Sequence, residues 1–316
     1  VKIFLGIMLA VLSAGSLAQP YPSKPIKQVV AFPPGGPVDI VARLLAPKLT
    51  EAFSQPAVVE NKAGASGNIA TTEVARSAPD GYTLLTHSSA YAVNPTLYSN
   101  AGYDPTKDLV PIAIVARQAN IVLVNSSFPA NTLEELRQQM LSRKLPYGSP
   151  GAGTTPALTA QNLFQVRWKA DAAHIPFKGA GPMLQGLLSG EPAIGCMAGS
   201  GPMANIRAGK FRALAVSSAR RLPQLPEVPT LGELGYPGME DYTWVGVFAP
   251  AGTPPDIVQK LNEAIVRIAN DAEIRKRLEA VAFDVTAAPL RETADYVRSE
   301  VAKWAKVVKD TGARVD

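Results

Sequence analysis

The chain of 316 residues holds one cysteine, Cys196, and two histidines, His87 and His174. A single cysteine cannot bridge within the chain, so no disulfide scaffold is available. Cys-rich metal sites are excluded with it, and no H-x-x-H or H-E-x-x-H pairing exists. Charged residues are scarce, at 18%, while apolar residues reach 47%. That balance excludes intrinsic disorder, which requires low hydrophobicity and high net charge. Glycine, at 25 residues, is far below one in three, which excludes collagen. Blocks of Lys and Arg of the kind that grip nucleic acid or membrane are also missing, so neither partner is expected. The formal charge of +5 is mild and suits an anionic small ligand.

Catalytic signatures are missing as well. No serine sits in a G-x-S-x-G elbow. The only Gly-Lys pair, Gly209-Lys210, is followed by Phe211, so there is no Walker loop. Gly151-Ala152-Gly153 lacks the third glycine of a dinucleotide fingerprint, because Pro156 holds that place. No catalytic residue, cofactor or metal is expected. His174 reads as a satisfied core histidine. His87, at a strand end, is more open to a pocket role, with a structural role at least as well favoured.

Proline is in excess: 28 residues, about 9% against a usual ~5%. At the start, Lys2, an apolar run over 3–12 and Ser16-Leu17-Ala18 read as a secretory signal peptide cut after Ala18. The mature chain would have 316 − 18 = 298 residues and a charge of +4, Lys2 being lost. A soluble, periplasmic protein of about two domains is expected.

The rest alternates short β-rich runs with helical patterns, the mark of α/β layers. Strands are expected at 26–32, 57–61, 82–86, 112–124, 146–149, 173–176, 193–197, 213–217 and 242–249. Helices are expected at 38–53, 68–75, 132–141, 155–166, 254–270, 272–279 and 293–311. Thr132 and Glu135 fit a capping box. Gly or Thr followed by Pro recurs where a helix begins after a strand: 36–37, 155–156, 181–182, 201–202 and 253–254. Proline suits the first helical position, where its missing N–H would be unpaired anyway. Ligands of open α/β sheets bind at these carboxyl ends of strands. The Pro-rich stretch 222–229 reads as an extended surface loop.

Two turns carry most of the functional signal. The first is Phe32-Pro33-Pro34-Gly35-Gly36-Pro37-Val38-Asp39. Free N–H groups at such a helix start bind carboxylate or phosphate. Gly36 leaves room for close approach, and Asp39 takes an orienting role in the first turn. The second turn runs from Tyr147 to Pro156 with the same logic; Ser149 and Thr154 offer hydroxyls beside Gly151 and Gly153. Ser88, Ser89 and Tyr91 end another strand. Lys178-Gly179 places a cation beside a glycine.

Together these segments resemble the Bug-type extracytoplasmic solute receptors of the tripartite tricarboxylate transporter family. The matching stretches are 32–43, 59–69, 78–85, 94–98, 176–179, 208–210 and 249–254. The resemblance implies an α/β fold, a two-lobed periplasmic-binding-protein clamshell (type II-like), each lobe a mixed sheet flanked by helices. It implies lobe 1 at 19–121 plus 246–316, lobe 2 at 122–245, and crossings near Ile121 and Val245. It implies that the first and second turns hold one ligand carboxylate, and with the other segments read above the candidate site is Phe32, Gly35, Gly36, Val38, Asp39, Ser88, Ser89, Tyr91, Ser149, Gly151, Gly153, Thr154, Lys178 and Gly179. The implied partners are an organic acid and the permease subunits of a tripartite transporter, with the receptor a monomer.

The chain departs from the family pattern at four places. Val38 stands where Thr is frequent, Ala157 where His is frequent, Ala90-Tyr91 for a hydroxyl residue and His, and Met197-Ala198 for an Asp-rich strand end. Loss of polar groups penalises a multiply charged ligand such as citrate. It points to a monocarboxylate or aromatic acid, with Phe32 and Tyr91 offering ring faces. A ligand sensor feeding a signalling partner is the alternative reading; a periplasmic hydrolase is a weaker one.

Overall fold

The computed structural model describes residues 21–315; the expected leader at 1–18 lies outside the described residues. β1 (Ile26–Val30), β2 (Ala57–Asn61) and β3 (Thr83–Ser88) are parallel, with Ile26 opposite Ala57 and Lys27 opposite Thr83. Parallel neighbours need crossovers, here α1 (Pro37–Phe53) and α2 (Asn68–Ala75). α3 (Ala90–Leu97) then leads to β4 (Leu109–Asn125).

β4 organises the molecule. Its first part, from Leu109 to Ala119, pairs antiparallel with β9 (Tyr242–Pro250). From Asn120 onward it pairs instead with β7 (Ile194–Ala198) and β8 (Phe211–Val216). β5 (Leu145–Ser149) is parallel to β6 (Ala172–Pro176) and β7. The strand order is β2-β1-β3-β9-β4-β7-β5-β6, and β10 (Asp284–Val285) also joins β4. The remaining helices are α4 (Leu133–Ser142), α5 (Thr155–Gln161), α6 (Ala180–Ser189), α7 (Met203–Arg207), α8 (Pro255–Ala269), α9 (Ala272–Glu279) and α10 (Leu290–Thr311). Among the described residues no helix is long and apolar enough to cross a membrane.

Strand residues alternate between faces, and the core follows that alternation. Val30 joins a cluster with Leu45, Ile112 and Ile265, while Val29 joins Tyr91, Trp244, Phe248 and Trp304. At the other end of β4, Val122 and Val124 pack with Phe164 and Trp168, whereas Ile121 and Leu123 pack with Met183 and Met197. Each end of the sheet is therefore covered on both faces. Each fully buried Leu or Ile in these layers contributes roughly 1.5–3 kcal/mol.

Three local expectations need adjustment, and α3 stands where no helix was expected. The helix expected over 155–166 is α-helical only to Gln161 and continues as a π-helical turn over Asn162–Arg167. The prolines of the recurrence do not all sit at the first helical position. Pro37 does, but Pro156 is second, Pro182 lies within the first turn, and Pro202 and Pro254 are N-caps. The stretch 222–229 is not wholly a surface loop, because Leu225 and Val228 are buried against Met183 and Phe211. Half of the capping box forms as expected, Thr132 Oγ1 accepting from Glu135 N at 3.1 Å, while the Glu135 carboxylate accepts from Asn131 N at 2.6 Å instead of from Thr132 N.

Candidate functional site

The Pro33–Gly36 turn leaves β1 with Gly35 in the left-handed region (φ 85°). Gly36 is the N-cap of α1 and has no side chain to occupy the free N–H groups. Asp39, in the first turn, occupies none of those helical N–H groups. Its carboxylate accepts from Gly35 N, Arg43 Nε and Asn61 Nδ2, each at 2.9 Å. Burial pushes this carboxyl up, but the hydrogen bonds from Arg43, Gly35 and Asn61 outweigh it and hold it below its ordinary range.

The second turn repeats the design. Thr154 is the N-cap of α5, yet its Oγ1 donates to Gly151 O at 2.7 Å and caps no helical N–H. Ser149 Oγ lies 2.7 Å from His174 Nε2, whose ring stacks on Tyr147. A third start is α6, capped by Gly179 (φ 111°) with no side chain. The N-termini of α1, α5 and α6 meet around one small cavity.

That inner cavity has a volume of about 40 Å³. Phe32, Gly36 and Val38 line it on one side, Thr154, Thr155 and Ala180 on the other, and Ser88, Met197, Ala198 and Thr243 complete it. No charged residue is on its wall. An outer cavity of about 580 Å³ lies beyond Phe32, Pro33 and Pro150, which belong to both walls. Gly151, Lys178 and Gly179 line the outer space together with the 63–67 turn, Tyr98 and Phe177.

Of the residues singled out from sequence, Gly35, Asp39, Ser89, Tyr91, Ser149 and Gly153 line neither cavity. Ser89 Oγ is 3.0 Å from Thr155 Oγ1, and Gly153 N donates to Ser66 Oγ at 3.2 Å, so each touches a residue of a cavity wall. Tyr91 is a correction. It has no exposed surface, its ring stacks on Phe248 and Tyr103, and its hydroxyl donates to Pro105 O. It offers no ring face to a ligand because α3 turns it into the core. His87 is also wholly buried, with Nδ1 2.9 Å from Ser88 O and its ring against Gly67. Burial pushes its pKa down to about 4, so the imidazole is neutral at physiological pH.

Sequence reasoning overlooked Ser66, Thr155 and Thr243. Ser66 had a signal, since Gly64-Ala65-Ser66-Gly67 is another glycine turn between a strand and a helix. Thr243 had none; only the fold brings it to the cavity.

A family model described as "Tripartite tricarboxylate transporter family receptor" matches residues 41–313. The chain belongs to this receptor family. Protein BugT of Bordetella pertussis is 36% identical over 317 residues, covering 98% of this chain and 97% of BugT. The solved structure of the periplasmic binding protein BugD is 33% identical, with a TM-score of 0.89 over 93% of this chain and 99% of that one. The structure titled "R. palustris Rpa4515 with adipate" is also 33% identical, with a TM-score of 0.89 over 93% of this chain and all of that one. The fold of this receptor is thus the two-lobed α/β clamshell of periplasmic binding proteins. Of its four departures from the family pattern, Val38 and Met197-Ala198 are on the inner wall, while Ala157 and Tyr91 are not.

Proposed function

We propose that this receptor captures an organic acid in the periplasm, without catalysis, and presents it to the membrane permease subunits of a tripartite transporter. The supporting observation is the convergence of three helix N-termini, none capped by a side chain, on an inner cavity with no charged wall residue. Such N–H groups carry partial positive charge and favour a carboxylate. With no cation on the wall, a second charge there would lack a partner. The ligand is therefore a monocarboxylate or aromatic acid, its carboxylate inside and its body reaching past Phe32 into the outer space. A more distant second charge would fall near Lys178. The adipate named for a relative is a dicarboxylate whose apolar spacer would carry its second charge out of the inner cavity.

Capture works by lobe closure, the closed form being favoured by contacts that only it makes. We assign 19–121 with 246–316 to one lobe and 122–245 to the other. The exchange of strand partners along β4 between Ala119 and Asn120 supports that division. Isothermal titration against hexanoate, benzoate, adipate and citrate tests the reading. Binding of hexanoate or benzoate at micromolar or tighter Kd, with citrate at least tenfold weaker, is expected. Tight citrate binding with no response to the other acids sinks it.

A further inference from the structure

Four hydroxyls line the inner cavity: Ser88, Thr154, Thr155 and Thr243. Each has one proton to give. Thr154 gives its proton to Gly151 O at 2.7 Å. The destinations of the Thr155 and Thr243 protons are decided at Asp241, a buried side chain.

Burial pushes the Asp241 carboxyl up to about 6, which leaves it mostly ionised at neutral pH and able only to accept. Its Oδ2 accepts from Thr159 Oγ1 and, at 2.7 Å, from Asn120 Nδ2. The carboxylate thereby orients the Asn120 amide, because the flipped amide would set two oxygens against each other. Asn120 Oδ1 then faces Thr243 and accepts its hydroxyl proton at 2.7 Å. Thr243 has no proton left for its 2.8 Å contact with Thr155 Oγ1, so Thr155 must donate there. By the same count, Ser89 donates to Thr155 at 3.0 Å, across the cleft. Every proton in the row points towards Asp241.

Ser88 stands outside this row. Its Oγ accepts from Ala90 N at 3.3 Å, and among the described residues no protein acceptor takes its proton. We propose that Asp241 is a positioning residue that sets the hydrogen-bond direction of the cleft hydroxyls, leaving Ser88 as the one wall hydroxyl free to donate to a bound carboxylate. This rests on the receptor reading above and deepens it: the carboxylate is met by backbone N–H groups and a single side-chain donor. Thr155 and Thr243 have only lone pairs to offer, so they do not compete for the anion.

The test is titration of hexanoate, benzoate and adipate into six proteins: unaltered, Ser88→Ala, Asp241→Asn, Asp241→Leu, and each Asp241 variant combined with Ser88→Ala. Loss of a hydrogen bond to a charged group predicts at least about a tenfold weaker Kd for Ser88→Ala. Asp241→Asn keeps an acceptor oxygen for Asn120 and preserves that tenfold penalty. Asp241→Leu frees the row to reverse, and the penalty shrinks below about threefold. If Asp241→Leu does not fold, Asn120→Leu releases the Thr243 proton one link along and carries the same expectation. A Ser88→Ala penalty under threefold in the unaltered protein overturns the proposal while the receptor reading stands. An equal penalty in every background overturns the role of Asp241. No binding of any acid by the unaltered protein overturns the receptor reading and this proposal with it.

Discussion

Ser66 Oγ accepts the Gly153 backbone N–H at 3.2 Å, joining residues 87 positions apart. Tyr98 donates to the same oxygen at 3.1 Å, and Asn94 Nδ2 donates to Ser66 O at 3.0 Å. Ser66 and the preceding Ala65 are both left-handed, at φ 52° and 45°. Such conformations cost on the order of 1–3 kcal/mol each and persist where the surroundings enforce them. Here they aim one serine at the opposite loop.

Gly153 approaches closely enough that a side chain cannot follow. A Cβ there would lie 2.2 Å from Asn94 Oδ1 and 3.1 Å from Tyr98 Cε2. Asn94 cannot simply swing aside, because its amide also donates to Asn68 Oδ1 at 2.7 Å. Gly153→Ala is expected to hold the cleft ajar. Acid affinity falls by about 100-fold, or ~2.7 kcal/mol, while the ligand-free Tm stays within a few degrees. Titration and thermal melts of the variant check this. An unchanged Kd would show that the loops do not need this approach for binding.

Lys178 lines the outer cavity but is exposed to solvent. Screening limits what its charge contributes. Lys178→Met should therefore weaken adipate by three- to tenfold and leave hexanoate within about twofold, because only adipate has a second carboxylate to reach it. Parallel titrations decide the point; equal losses for both acids would mean that Lys178 does not read the distal charge.

Acid should destabilise the protein from about pH 6.5 downward. Burial pushes His87 and His174 from the ordinary 6.5 to about 4. Both stay neutral in the fold and take up protons only on unfolding in that interval. The unfolded state then binds more protons, so stability is lost as pH falls from 6.5 towards 4. Asp241 works the other way, since burial raises it from 3.8 to about 6 and the fold binds the extra proton as pH falls through 6. Two imidazoles outweigh one carboxyl, and their loss begins first. Each unopposed proton is worth ~1.4 kcal/mol per pH unit. Urea midpoints at pH 7.5, 6.0 and 5.0 should fall in that order, and His87→Phe, if folded, should flatten the slope. A rising midpoint would contradict the assignment.

Some of this was legible before the fold was known. The α1 start was, because Gly36-Pro37 after a β-branched run combines an open N-cap with a preset φ. α3 was not: Pro95 sits inside it, and six of its eight residues are buried, so neither a polar face nor a start signal marks it. Tyr91 followed two serines at a strand end and read as a ring at a pocket. One helical turn rotated it between Phe248 and Tyr103. β10 is two residues long, too short to carry a period of its own.

By itself the sequence determined the alternation of strands and helices, the glycine turns that leave helix N–H groups free, and the lack of catalytic and metal-binding motifs. These depend on neighbours along the chain, where φ preference and hydrophobic period act. Tertiary structure decided which hydroxyls meet. Thr243 reaches Thr155 and Asn120 only because β4 and β9 run side by side. Ser66 reaches Gly153 only because two glycine turns far apart in the chain face each other. A hydroxyl reads the same in any sequence. Whether its proton is spent or free depends on an acceptor three ångströms away, and distance in space is what the linear order leaves open.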